Sequence, residues 1–183
     1  IKAQESRGFE HWAKIHNLKQ AARTLNFLTE NRIDSYAELS AKIAEVNAAS
    51  EQAAGSLKGV ERRLADMAVL IKNVTTYQKT KPVYDAYRRA KDKAAYRAAH
   101  ESSLILFEAA AKAVKPALVG GKLPNVAALQ AEYAKLQEQK ETLCADYGRL
   151  KKQVKEYDVI KRNIDSILRR ESEPERGKEN VRG

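Results

Sequence analysis

From Ser35 onward, apolar residues fall at Tyr36, Leu39, Ile43, Val46, Ala53, Leu57, Val60, Leu64, Met67, Ile71 and Val74. The steps alternate between three and four, and only Ser50 breaks the series. A sustained period near 3.5 is the signature of a coiled-coil seam. Ser35 followed by Glu38 has the capping-box pattern and sets the start of this helix. Lys81–Pro82 predicts its end, because proline lacks the amide donor and crowds the preceding turn. The expected helix therefore covers 35–79. A second series runs through Val126, Leu129, Tyr133, Leu136, Leu143, Tyr147, Leu150, Val154, Tyr157, Ile164 and Leu168, with Lys140 and Lys161 in the two seam positions that fail. Asn125 is its expected N-cap, and the pattern predicts helix over 125–170.

Neither helix is stable alone with an apolar stripe in water. Matched seams in one chain predict a long antiparallel helical hairpin, a coiled coil that closes on itself as a monomer; seams pairing between two chains are the alternative. The stripe Phe9, Trp12, Ile15, Ala22, Leu25 and Leu28 predicts an N-terminal helix within residues 1–34, folded across the base near Tyr36, Ile43, Tyr157, Ile164 and Leu168. Residues 80–124 read as a small helical tip, with "KPVYDAYRRA" and "HESSLILFEAAAKAV" as short helices and Gly120–Gly121 and Pro124 breaking the loop that follows. The expected fold is all-α, a single elongated domain over 1–170, with a polar, disordered tail over 171–183.

Composition agrees with long helices: eight Gly and four Pro stand among 183 residues, while Lys, Arg, Glu and Ala are plentiful. The single cysteine, Cys144, excludes an internal disulfide and a cysteine-based zinc cluster, and fits a reducing, cytoplasmic setting. No apolar run approaches the ~18 residues of a membrane span and no signal peptide is visible, so no membrane insertion is expected. The polar start at Ile1 reads as a fragment of something larger.

Charge changes the picture most. The net charge is +10, which makes a polyanion the first partner to consider. Half of it lies in residues 80–122, where nine Lys/Arg face four Asp/Glu; residues 35–79 carry only +1. The stretch "TKPVYDAYRRAKDKAAYR", residues 80–97, holds six Lys/Arg and three Tyr. Lys81, Arg88, Arg89, Lys91, Lys93 and Arg97 are the candidate phosphate contacts, and Tyr96 is the candidate ring for stacking on a base. Tyr84 and Tyr87 are expected to face the tip's own core with Leu104, Leu106 and Phe107. A soluble surface alone is the competing reading of the same cations.

Catalytic chemistry is not legible. His11, His16 and His100 are the only histidines, and the first two are five apart, off a common helix face. Gly120–Gly121 lacks the Lys-Ser/Thr context of a phosphate-cradling loop. No nucleophile, base and orienting group can be assembled. No catalytic residue, metal site or cofactor is expected.

The words "GFEHWAKIHNLKQAARTLNFLTENRIDSYAEL", "MAVLIKNVTTYQKTKPVYDAYRRA" and "KLPNVAALQAEYAKLQEQK" carry a further signal. Over about residues 8–168 the chain resembles the C-terminal region of conjugative relaxases, the mobilisation nucleases of integrative and conjugative elements in Gram-positive bacteria. The non-periodic words Gly8 through Lys14, Asn17-Leu18-Lys19, Tyr84 through Arg88 and Lys122-Leu123-Pro124 give it specificity; Lys91 stands where the family pattern has glycine. The resemblance implies a preceding nicking domain whose metal-bound histidines and tyrosine have no counterpart here. It implies a non-catalytic accessory region that binds DNA of the transfer origin, relaxosome partners or coupling proteins. A purely structural protein-interaction module and an RNA-binding helical arm are the competing expectations.

Overall fold

The computed structural model describes the backbone of residues 2–172 and the side chains of residues 16–169. Four α-helices follow one another: α1 (Lys2–Glu30), α2 (Tyr36–Arg89), α3 (Lys93–Val114) and α4 (Val126–Ser172), with a 3-10 turn at Lys115–Ala117. Among the described residues there is no β-strand, and α2 and α4 pack against each other as a helical hairpin. The side chains of Phe9, Trp12 and Ile15 lie outside the described residues, as does the expected tail beyond its first two positions, which close α4. The chain divides into two compact units, residues 1–53 with 146–183, and residues 54–145.

In the first unit α1 lies on the α2–α4 pair. Ile33, Leu39, Tyr157 and Ile160 are buried there, flanked by Phe27, Leu28, Ile43, Val46 and Ile164. Phe27 meets Tyr157 edge to face at 5.0 Å. The buried Thr24 hydroxyl donates to the Gln20 carbonyl and accepts from Asn163 Nδ2, so its burial leaves no orphaned polar atom. The turn out of α1 is a Schellman cap. Arg32 takes a positive φ of 53° and donates to Thr29, and Ile33 N–H reaches the Leu28 carbonyl while its side chain enters the core. The α2 start carries the expected capping box, displaced at one end: Ser35 Oγ accepts from Glu38 N–H, and Glu38 reaches back to the Asp34 N–H at 2.7 Å.

In the second unit Val60, Leu64 and Leu136 are buried, with Met67, Tyr133 and Leu143 packed on them. Glu61 pairs with Lys140 and Arg63 with Glu132, so rising numbers on α2 meet falling numbers on α4 and the helices are antiparallel. The two seam lysines thus have an explanation. Lys140 reaches Glu61 at 3.0 Å, and in the first unit Lys161 reaches Asp165 at 3.5 Å, each half-buried with its ammonium in water. Asn125 caps α4 by accepting from the Ala127 and Ala128 amides. Gly120 and Gly121, both at positive φ, form a two-residue turn closed by paired Val119–Lys122 backbone bonds.

The tip departs from its expected outline. Instead of ending at Lys79, α2 continues through Pro82 to Arg89. A proline inside a helix costs ~3 kcal/mol, and packing offsets it. Tyr77 and Tyr84, seven apart on one face, both rest on the buried Phe107, and Val74 and Thr80 are buried on the same stretch. Leu104, Phe107, Ala110 and Val114 form the facing stripe of α3. Leu106, expected in that core, points off the stripe and is 53% exposed.

Candidate nucleic-acid interface

The basic stretch is the meeting point of two helix ends. Arg88 and Arg89 close the last turn of α2, where cations also complement the helix dipole. Lys91 lies in the connection, and Asp92 starts α3 by accepting the Ala95 amide at 2.9 Å. Lys93 is the first residue of α3. Lys91 has no positive φ, so this turn does not require a glycine there.

α3 is bent. His100 leaves helical geometry at φ −125°, ψ 22°, and divides the helix into two halves. Arg97 and Glu108 lie on opposite sides of the bend and form a double hydrogen bond at 3.2 and 3.5 Å. In a continuous helix eleven residues span about 16 Å, beyond the combined axial reach of the two side chains. The bend therefore turns one half toward the other, and the ion pair braces it.

This geometry sorts the candidates. Lys81 is tied to Asp85 at 2.7 Å, and that hydrogen bond holds the Asp85 carboxyl below the usual carboxylate range and raises the Lys81 pKa. Arg97 is spent within the tip, its pKa raised by the Tyr87 hydroxyl first and Glu108 second. Tyr96 packs between two rings, Tyr87 at 6.4 Å and His100 at 4.3 Å. Arg88, Arg89, Lys91 and Lys93 remain exposed and have no ion-pair partner among the described residues. The Arg89 Nε donates to the Asp85 carbonyl at 3.1 Å, which orients the guanidinium of this exposed side chain. The nearby carboxylates are engaged, Asp85 by Lys81 and Asp92 by the α3 cap. Four cations thus cluster on one short turn without a direct ion pair, although Asp92 keeps its charge between Lys91 and Lys93 and Arg88 and Arg89 act on Asp85 through space.

Sequence reasoning missed Asp85, Asp92 and Glu108 as the groups that divide free cations from paired ones. The four-residue spacing of Lys81 and Asp85 was a readable signal. Glu108 gave none, because no proline or glycine marks the bend at His100.

Among the described residues, no three His, Cys, Asp or Glu side chains gather as a metal site, and no helix is long and apolar enough to cross a membrane. Comparison with protein-family models, with curated proteins and with solved structures yields no match.

Proposed function

We propose that this chain is a non-catalytic accessory region of a conjugative relaxase that holds DNA by its phosphate backbone at the α2–α3 turn. The observation that carries the binding is the cluster of Arg88, Arg89, Lys91 and Lys93, exposed and without a carboxylate partner among the described residues. A solvated helix face balances its charges by i,i+4 pairs, whereas a phosphate-binding surface leaves them unmatched. The resemblance of residues 8–168 to relaxases supports the setting. The DNA of the transfer origin is the partner this reading implies.

A gel shift on DNA tests it. The wild-type chain forms a complex that weakens with salt, and the quadruple variant Arg88→Ala, Arg89→Ala, Lys91→Ala, Lys93→Ala, shown helical by circular dichroism, loses most of it. A folded quadruple variant that binds as the wild type does removes the turn as the DNA site.

One observation favours a protein-docking role in addition. In the first unit a groove of about 420 Å³ is lined by Leu25, Leu28, Ile33, Ile164, Ile167 and Leu168. Leu25 is 65% and Leu168 48% exposed there. Relaxosome or coupling proteins are the partners that the relaxase reading offers for such a surface.

A further inference from the structure

The turn sits beside a set of aromatic rings, and what those rings do decides which form of nucleic acid it can hold. Proteins that hold single strands without sequence preference lay successive bases on aromatic side chains. The tip is rich in rings, but each is committed to another. Phe107 takes Tyr77 at 4.9 Å and Tyr84 at 4.1 Å. Tyr84 continues to Tyr87 at 6.3 Å, Tyr87 to Tyr96 at 6.4 Å, and Tyr96 to His100 at 4.3 Å. Tyr77, Tyr84, Tyr87 and Tyr96 are half-buried and Phe107 is buried, so no tyrosine or phenylalanine of the tip stands free as a platform.

The outward chemistry of the turn is therefore mainly charge, with His100 the exposed ring beside it. Charge alone favours the denser polyanion. A duplex carries one phosphate per about 1.7 Å of axis, and each neutralised phosphate releases more counterion from a duplex than from a single strand, with log–log salt slopes of about −0.9 against −0.7 per contact. Resting on the backbone-binding reading above, we infer that the α2–α3 turn takes the phosphate backbone of a double helix in preference to a single strand, without stacking on bases. DNA and RNA duplexes share this chemistry, and the experiment separates them.

The full chain is titrated by fluorescence anisotropy against a short DNA duplex, each of its separated strands, and the RNA duplex of the same sequence, at low and moderate salt. The expected result is binding of a duplex about tenfold tighter than of either strand; the tighter of the two duplexes identifies the source. Tyr96→Leu, which keeps an apolar side chain against Tyr87, leaves single-strand affinity unchanged. Strands bound as tightly as the duplexes, or a loss at Tyr96→Leu confined to the strands, overturns the inference. Binding that needs Arg88, Arg89, Lys91 and Lys93 yet prefers a strand overturns the duplex preference alone. Absence of binding to all probes, or binding indifferent to those four residues, overturns the backbone-binding reading and this inference with it.

Discussion

Arg97 and Glu108 meet at 3.2 Å across the bend at His100, although eleven residues separate them on α3. The pair bridges the two halves of α3, four residues along from Lys93. Arg97 is thereby paired within the tip, unlike Arg88, Arg89, Lys91 and Lys93. The ring contacts of Tyr96 with Tyr87 and His100 act on the same half.

Removing one partner of that pair tests the brace. Glu108→Gln keeps the side-chain shape but loses the charge, and amide hydrogen exchange at 93–99 is expected to speed up while 101–114, held by Leu104, Phe107, Ala110 and Val114, stays protected. Equal acceleration along the whole of α3 would contradict the assignment.

Seam positions are expected to separate by burial. Leu64 is 8% exposed, and Leu64→Ala costs ~2–5 kcal/mol of unfolding free energy. Leu150 is half-buried and loses less, and Lys140→Ala loses little because its pair with Glu61 lies in solvent. Denaturant melts of the three variants check this, and similar losses in all three would show the register to be misassigned.

Much of this register was legible in the sequence. Leu39, Val60, Leu64, Val74, Leu136 and Tyr157, all on the period of three and four, are buried. Ile160 was not on that period, yet it is buried, because α1 gives α4 a second face to cover and a single-seam pattern carries no trace of it. Pro82 misled for a related reason: local propensity favours a break there, and the packing of Tyr77 and Tyr84 on Phe107, distant in sequence, overrides it. The candidate site was legible as a concentration of charge. Which cations are free was legible only in part: the spacing of Lys81 and Asp85 signals one pair, whereas that of Arg97 with Glu108 depends on the bend at His100.

Arg32 offers a gain. Its φ of 53° is a left-handed conformation that costs a residue with a side chain ~1–2 kcal/mol, whereas glycine adopts it freely. Arg32→Gly is expected to raise the thermal midpoint, by about 1 kcal/mol in stability after the added freedom of the unfolded chain is counted. A lowered midpoint would mean that the side chain makes a contact that outweighs the strain.

Asp85 sets a pH dependence. Its pKa is lowered in the folded chain, chiefly by the hydrogen bond from Lys81. The unfolded state therefore binds a proton more readily, so this contribution is present above the ordinary carboxylate pKa and is lost as pH falls through the depressed folded value. Both groups are solvated, so the effect is small. Thermal melts of Asp85→Asn and wild type are expected to differ slightly at neutral pH and to converge in acid; a gap that persists or widens in acid would contradict the pairing.

The central claim, that the α2–α3 turn neutralises phosphates, is tested most directly by the salt dependence of duplex DNA binding. Each phosphate contact contributes a log–log slope of about −0.9. Changing both Arg88 and Arg89 to Ala is expected to flatten the slope by about 1.8, the share of two contacts, and to weaken binding alike on every sequence tried. An unchanged slope in a variant that remains folded would place the phosphate contacts elsewhere and contradict the account.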